Sequence, residues 1–195
     1  MTNIVVIIFL FLNMKSQENN IKYIHFGAGC FWCIEAIFEG LNGVEEVVSG
    51  YSGGEKNTAN YTDVCSGKTK HAEVCRIKYN SDTISFQTLL KVFFLAHNPT
   101  TLNRQGNDIG PQYRSIIFYN NESEKLISEQ YVESLLKNNI YSVITTELAA
   151  FKKFYKAEKY HQNYMQLNPQ QPYCQLIINP KVTKLRKELN QYYKN

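Results

Sequence analysis

Two cysteines stand three positions apart in Gly27-Ala28-Gly29-Cys30-Phe31-Trp32-Cys33, directly after a short apolar run, Tyr23 to Phe26. A thiol that loses its proton is a nucleophile, a redox partner or a metal ligand, so chemistry is first sought here. Phe31, Ile34, Ile37, Phe38 and Leu41 follow at helical spacing. That pattern predicts a strand, a tight glycine turn and an amphipathic helix. Cys30 then falls at the helix N-terminus, where unpaired N–H groups and the positive end of the helix dipole favour a thiolate. Its pKa is expected to fall, which makes Cys30 the lead nucleophile. The plainer alternative is that both cysteines are small buried apolar residues.

Cys-x-x-Cys is compatible with three chemistries. A helix places both thiols on one face, close enough to close a disulfide as a dithiol. The pair also makes half a zinc site, with Cys65 and Cys75 as possible partners. Those two are ten positions apart rather than a close pair, which weakens that reading. The third chemistry is a nucleophilic cysteine served by a second, resolving thiol.

A carboxyl joins the thiols through strand parity. His71 to Tyr79 alternates, with Cys75, Ile77 and Tyr79 on one face and Arg76 and Lys78 on the other. Glu73 shares the face of Cys75 and Ile77, which is expected to point inward. An inward carboxyl is costly as an anion, so its pKa should rise, and a carboxyl held protonated is a general acid. Against this, Glu73 at the strand end could be salt-bridged or solvated.

The elements that must hold these groups follow in order. Gly40 and Gly43 end the first helix, and Val44 to Ser49 reads as a second strand. Gly50 to Gly54 is a glycine-rich turn without the Lys-Ser/Thr ending of a phosphate-binding loop. Tyr61 to Lys70 reads as loop. Ser85 can cap a helix carrying Phe86, Leu89, Leu90, Phe93 and Phe94 on one face. A long polar loop, Thr100 to Gln112, precedes a strand over Tyr113 to Tyr119. Asn121 or Ser123 starts a helix to about Leu136, and Ile140 to Leu148 is rich in strand formers. Phe151 to Gln166 has its aromatics at roughly helical spacing, Tyr173 to Ile178 reads as a short strand, and Pro180 starts a final helix. The expected fold is α+β: a two-layer sandwich of a mixed sheet and packed helices, with long loops around the site.

At 195 residues, 44% apolar and 19% charged, the chain suits one domain with a substantial core. A formal charge of +4 without a dense basic run gives nucleic acid no support as a partner. Five irregularly spaced cysteines do not make a secreted disulfide framework. Ile4 to Leu12 is an apolar run too short for a stable membrane span and closer to the core of a signal peptide. No Lys or Arg precedes it and no small-residue cleavage site follows, so Met14 is a competing start. Residues 1–20 are thus expected to be a leader, a signal if the protein is exported or a mis-called start if it is cytoplasmic. Residues 21–195 are expected to form a single catalytic domain.

Six segments in order resemble one family. Gly29-Cys30-Phe31-Trp32 is similar to the signature of peptide methionine sulfoxide reductase A. So are Val48-Ser49-Gly50-Tyr51-Ser52-Gly53-Gly54, Tyr61-Thr62-Asp63-Val64-Cys65-Ser66-Gly67 and His71-Ala72-Glu73. Asn103-Arg104-Gln105-Gly106-Asn107-Asp108 with Gln112-Tyr113-Arg114-Ser115, and Ala157-Glu158-Lys159-Tyr160-His161-Gln162, complete the set. The resemblance implies reduction of the S epimer of methionine sulfoxide, free or in proteins. It implies Cys30 as nucleophile, Glu73 as proton donor, Tyr61 and Tyr113 as donors to the sulfoxide oxygen, Phe31 and Trp32 as the aromatic pocket for the methyl group, and Asp108 as a further substrate-binding residue. It also implies no bound cofactor or metal and an external dithiol reductant such as thioredoxin; nothing in the chain suggests an obligate oligomer, so a monomer is expected.

The chemistry is coherent with those residue types. A sulfoxide oxygen leaves poorly until it is protonated or strongly hydrogen-bonded, and a methyl group prefers aromatic walls. Two departures concern regeneration. Many members carry glycine where Cys33 stands, and many place resolving cysteines in a glycine-rich C-terminal tail that this chain lacks. Cys33 is the first choice for the resolving thiol and Cys174 the second, while Cys65 and Cys75 read as structural. A general thiol–disulfide oxidoreductase using Cys30 and Cys33, and a zinc-stabilised interaction module, are the other readings.

Overall fold

A computed structural model describes residues 20–194, so the leader expected over residues 1–20 lies, but for Asn20, outside the described residues. The elements run β1 (Ile21–Gly27), α1 (Phe31–Glu39), β2 (Val44–Ser52), α2 (Tyr61–Cys65), β3 (Ala72–Asn80) and α3 (Phe86–Ala96). They continue with β4 (Arg104–Gln105), β5 (Asp108–Ile109), β6 (Ile116–Tyr119), α4 (Glu122–Lys137), β7 (Glu147–Ala150), β8 (Phe154–Lys156), α5 (Tyr164–Leu167) and α6 (Asn179–Glu188). Six strands make one mixed sheet in the order β7-β6-β1-β3-β2-β8, antiparallel except for the pair β6–β7. The short hairpin β4–β5 stands apart from it.

Local chemistry sets the helix starts. The Ser85 hydroxyl accepts from the Thr88 N–H at 3.0 Å, and the Asn121 side chain accepts from the Glu124 N–H at 2.9 Å, each satisfying an N–H that has no partner inside its helix. Strand alternation sets the faces. Ile24, Phe26, Cys75, Ile77 and Tyr79 turn toward the layer of α1, α3 and α6. Phe26 is fully buried between the rings of Phe38 and Phe93, at 5.5 and 4.7 Å, a burial that contributes roughly 2–3 kcal/mol. Ala72, Val74, Ile116 and Phe118 occupy the other face, covered by Ala149, Phe151 and Phe154. The result is the expected α+β two-layer arrangement.

Several segments differ from their sequence reading. Phe151 to Gln166 is not one helix: β8 pairs with the open edge of β2, and only Tyr164–Leu167 is α-helical. Its aromatics serve two separate surfaces, Phe151 and Phe154 the outer sheet face and His161 and Tyr164 the inner layer, so their spacing carried no single periodicity. Tyr173 to Ile178 is not a strand. Cys174–Ile178 is a π-helical turn running into α6, and Cys174, Ile178, Val182 and Leu185 form one buried stripe. The β-branched pair Ile177-Ile178 is overridden by that packing. Tyr61 to Lys70 contains α2, capped by Asn60 accepting from the Asp63 N–H at 3.0 Å. Pro111–Tyr113 is a 3-10 turn, leaving only Ile116–Tyr119 as strand, and the strand read within Ile140 to Leu148 is β7 at Glu147–Ala150.

Candidate active site

The glycine turn after β1 places Cys30 as the N-cap of α1, with φ −58° and ψ 125°. Gly29 has φ +84°, and a Cβ there would come within 2.7 Å of Gln105, so this turn requires glycine. The Gly29 N–H donates to the Tyr113 carbonyl at 3.1 Å, tying the head of α1 to the loop before β6. Together they enclose a cavity of about 190 Å³ lined by Cys30, Phe31, Trp32, Tyr61, Glu73, Asp108, Tyr113 and Tyr173. All the substrate-side residues singled out in the sequence therefore meet in one place, joined by Tyr173.

Glu73 is buried on the face that parity assigns it. Its Oε2 accepts the Phe31 N–H at 3.1 Å, which is one of the orphan donors of α1, while Oε1 lies 4.0 Å from the Cys65 sulfur. Burial pushes the carboxyl from its usual 4.5 up to about 8, with the Phe31 N–H opposing and Asp108 adding to the rise. Glu73 thus carries its proton at neutral pH.

Cys30 contradicts the expectation drawn from the helix terminus. Burial first, then the charges of Glu73 and Cys33, push its thiol well up, and the Trp32 N–H pulls only weakly the other way. The first N–H of the helix is engaged by Glu73 instead, and burial of the thiol outweighs the helix dipole.

Tyr61 and Tyr113 face the same space. Glu158 accepts the Tyr61 N–H at 2.8 Å and the Tyr51 hydroxyl at 2.9 Å, which fixes the start of α2 against β2. Burial, followed by Cys65 for Tyr61 and by Glu73 for Tyr113, raises both phenols, so both remain hydrogen-bond donors. Trp32 is stacked on Tyr164 at 3.5 Å and meets Tyr173 edge-on at 5.9 Å. Phe31 packs on His161 at 4.9 Å. The Tyr173 hydroxyl donates to Asp108 Oδ2 at 3.0 Å and lies 3.9 Å from the Cys33 sulfur.

All five cysteines are free thiols. Cys33 is buried on the first turn of α1 after Cys30, and its thiol is pushed up, chiefly by burial. Cys174 is fully buried. Cys75 packs inside, its sulfur 3.3 Å from the Phe31 carbonyl. Cys65, read as structural, is half-buried beside Glu73 and near the phenols of Tyr61 and Tyr113, without lining the cavity. Its place on a one-turn helix, invisible in a segment read as loop, brings it there. No periodicity marks Tyr173 and Tyr164, and His161 stands in a family-like segment without an assigned role; only the path of the C-terminal segment takes all three to Trp32. Among the described residues, no group of three or more His, Cys, Asp or Glu could hold a metal ion.

The family model described as peptide methionine sulfoxide reductase matches residues 22–193. The chain is 49% identical to the peptide methionine sulfoxide reductase MsrA of Natronomonas pharaonis, over 82% of this chain and 90% of that one. Among solved structures it is similar to reduced Mxr1 of Saccharomyces cerevisiae, with TM-score 0.74, 35% identity and coverage of 80% of this chain and 90% of that one. Mxr1 in complex with Trx2 matches with TM-score 0.54 and 25% identity, over 78% of this chain and 91% of that one. Fold, motif order and these likenesses agree: the chain belongs to the peptide methionine sulfoxide reductase family.

Proposed function

We propose that this methionine sulfoxide reductase works on the S epimer, in proteins and as the free amino acid, through Cys30 as nucleophile and Glu73 as proton donor. The observation that carries the assignment is a thiol sharing one small cavity with a carboxyl that burial keeps protonated. Tyr61, Tyr113 and Glu73 hold the sulfoxide oxygen, and Phe31 and Trp32 wall the methyl group. The Cys30 sulfur attacks the sulfoxide sulfur. The oxygen takes the Glu73 proton, and the thiol proton returns to Glu73. A protonated Glu73 also removes one of the charges that hold the proton on Cys30. The substrate S–O bond and the new bond between Cys30 and the methionine sulfur both break as the oxygen, now hydroxyl, passes to Cys30, leaving a sulfenic acid and methionine.

A second thiol then displaces water from the sulfenic acid and forms a disulfide, which an external dithiol reduces by exchange. Cys33 is assigned this role first, since it sits on the first turn of the same helix, and Cys174 second. Thioredoxin is the proposed reductant, a reading supported by the Mxr1 complex with Trx2. A general thiol–disulfide oxidoreductase would have no use for Glu73, Tyr61 and Tyr113 around Cys30. No bound metal or cofactor is required by this cycle, and the protein is proposed to act as a monomer. Location follows the start: cytoplasmic from Met14, exported if residues 1–20 act as a signal, which N-terminal sequencing of the mature protein decides.

The test is turnover of each epimer with dithiothreitol, wild type beside Cys30→Ser. Reduction of the S epimer alone, lost in the variant, is expected. A Cys30→Ser protein with full activity would refute the assignment.

A further inference from the structure

We infer that Glu35 is a positioning residue for the substrate pocket: by gripping the backbone of Tyr164 it sets the Tyr164 ring face-on against Trp32, the aromatic wall of the Cys30 cavity. The inference rests on reading that cavity as the sulfoxide site.

Glu35 lies one helical turn after Trp32 on α1 and is 1% exposed. A carboxyl buried there is costly unless its oxygens are used, and an apolar residue would pack as well without that cost. Both oxygens are used. Oε1 accepts the Ser49 hydroxyl at 3.2 Å, and Oε2 accepts the Tyr164 N–H at 3.1 Å, reaching a segment 129 positions away. Among the described residues Glu35 forms no salt bridge, so it is held by dipoles alone.

The segment it grips needs holding. Tyr164 opens a four-residue helix whose first N–H groups have no partner within it, and Asn163 before it has φ +52°, in the left-handed region. Ser49 completes the clamp: its N–H donates to the Gln162 side-chain oxygen at 3.2 Å, and its carbonyl accepts from the Gln162 amide at 3.0 Å. Glu35 and Ser49 therefore fix residues 162–164 to α1 and β2 together. What that fixes is the stack, with the Tyr164 and Trp32 rings 3.5 Å apart at an interplanar angle of 4°. Tyr164 and Glu35 do not line the cavity; Trp32 does. Loss of the clamp removes the face-on support of the indole, leaving it the tilted and edge contacts of His161 and Tyr173, and the pocket wall shifts.

Trp32 is the single tryptophan of the chain, so its emission reports this stack in the substrate-free protein. Glu35→Gln keeps the size of the side chain but removes one acceptor. It is expected to shift the Trp32 emission and raise KM for methionine sulfoxide roughly tenfold, short of the roughly hundredfold that an ångström of misplacement costs. The single-turnover rate at saturating substrate should stay within about twofold of wild type. Tyr164→Leu breaks the stack from the far side without touching the buried carboxyl, and it should shift emission and KM in the same way. The double variant should add nothing to Tyr164→Leu alone, while Tyr164→Phe should keep the wild-type emission.

A lower thermal midpoint in Glu35→Gln with emission and KM unchanged would overturn the inference, as would additive effects in the double variant. If Glu35→Gln does not fold, unchanged emission and KM in Tyr164→Leu would overturn it equally. A wild type inactive on either epimer, with emission shifts as expected, would sink the reading of the cavity and leave the positioning intact.

Discussion

Two carboxyls are buried on the same side of the sheet, Glu73 inside the cavity at the head of α1 and Glu35 in the packed wall behind it. Burial pushes both up, to about 8 and about 7. They differ in what their oxygens meet. Both Glu35 oxygens accept hydrogen bonds from fixed protein donors, Ser49 and Tyr164. Glu73 has one such donor, Phe31, and its other oxygen meets only a thiol at 4.0 Å. A buried carboxyl with a full set of partners organises structure, whereas one with spare capacity facing a cavity has a proton to give.

Substitutions separate the two regions most sharply at the cavity. Cys30→Ser should lower turnover by roughly 10⁴-fold or more, because nothing else in the cavity supplies the sulfur. Emission of Trp32 in that variant should stay near wild type, which circular dichroism and fluorescence check together. Glu73→Gln should slow the single-turnover rate by roughly 10²-fold, within the range of general acid catalysis. Glu73 donates only while protonated, so the wild-type rate should fall as pH rises past about 8, and Glu73→Gln should lose that decline. A decline that persists in Glu73→Gln and vanishes in Glu35→Gln would reverse the two roles.

Regeneration gives a smaller effect. Cys33→Ser should still release one methionine per enzyme in a burst but recycle with thioredoxin at least about tenfold more slowly. Normal recycling in that variant, with failure in Cys174→Ser, would move the resolving role to Cys174.

Stability offers the finest comparison. In the folded chain both carboxyls keep protons that an unfolded carboxyl, near 4.5, has released. The folded state binds more protons, so stability should fall as pH rises from about 4.5 toward 7 for Glu35 and 8 for Glu73, by a few kcal/mol at most in urea melts. Each Glu→Gln variant should flatten its share of that slope; wild-type slopes in both would show that neither carboxyl is protonated as described.

Much of the fold was legible where one period dominates a segment. Helical spacing marks α1 and α3, Ser85 and Asn121 mark helix starts, and alternation in β3 puts Glu73 on the inner face. The final helix after Pro180 was legible too, but the stretch from Phe151 to Ile178 was not, because its aromatics divide between two surfaces. Phe154 completes a sheet edge while His161, Tyr164 and Tyr173 wrap the pocket.

The two phenols and the aromatic pair came into view only through the family resemblance, whereas local pattern alone determined a thiol after a glycine turn and an inward carboxyl. Local spacing suffices there, since φ/ψ preferences and strand parity act within a few residues. Only the tertiary structure decided the sign of the Cys30 shift, the arrival of Cys65 beside Glu73, and the clamp from Glu35 to Tyr164. Those depend on desolvation and on contacts between residues far apart in the chain, which no local pattern encodes.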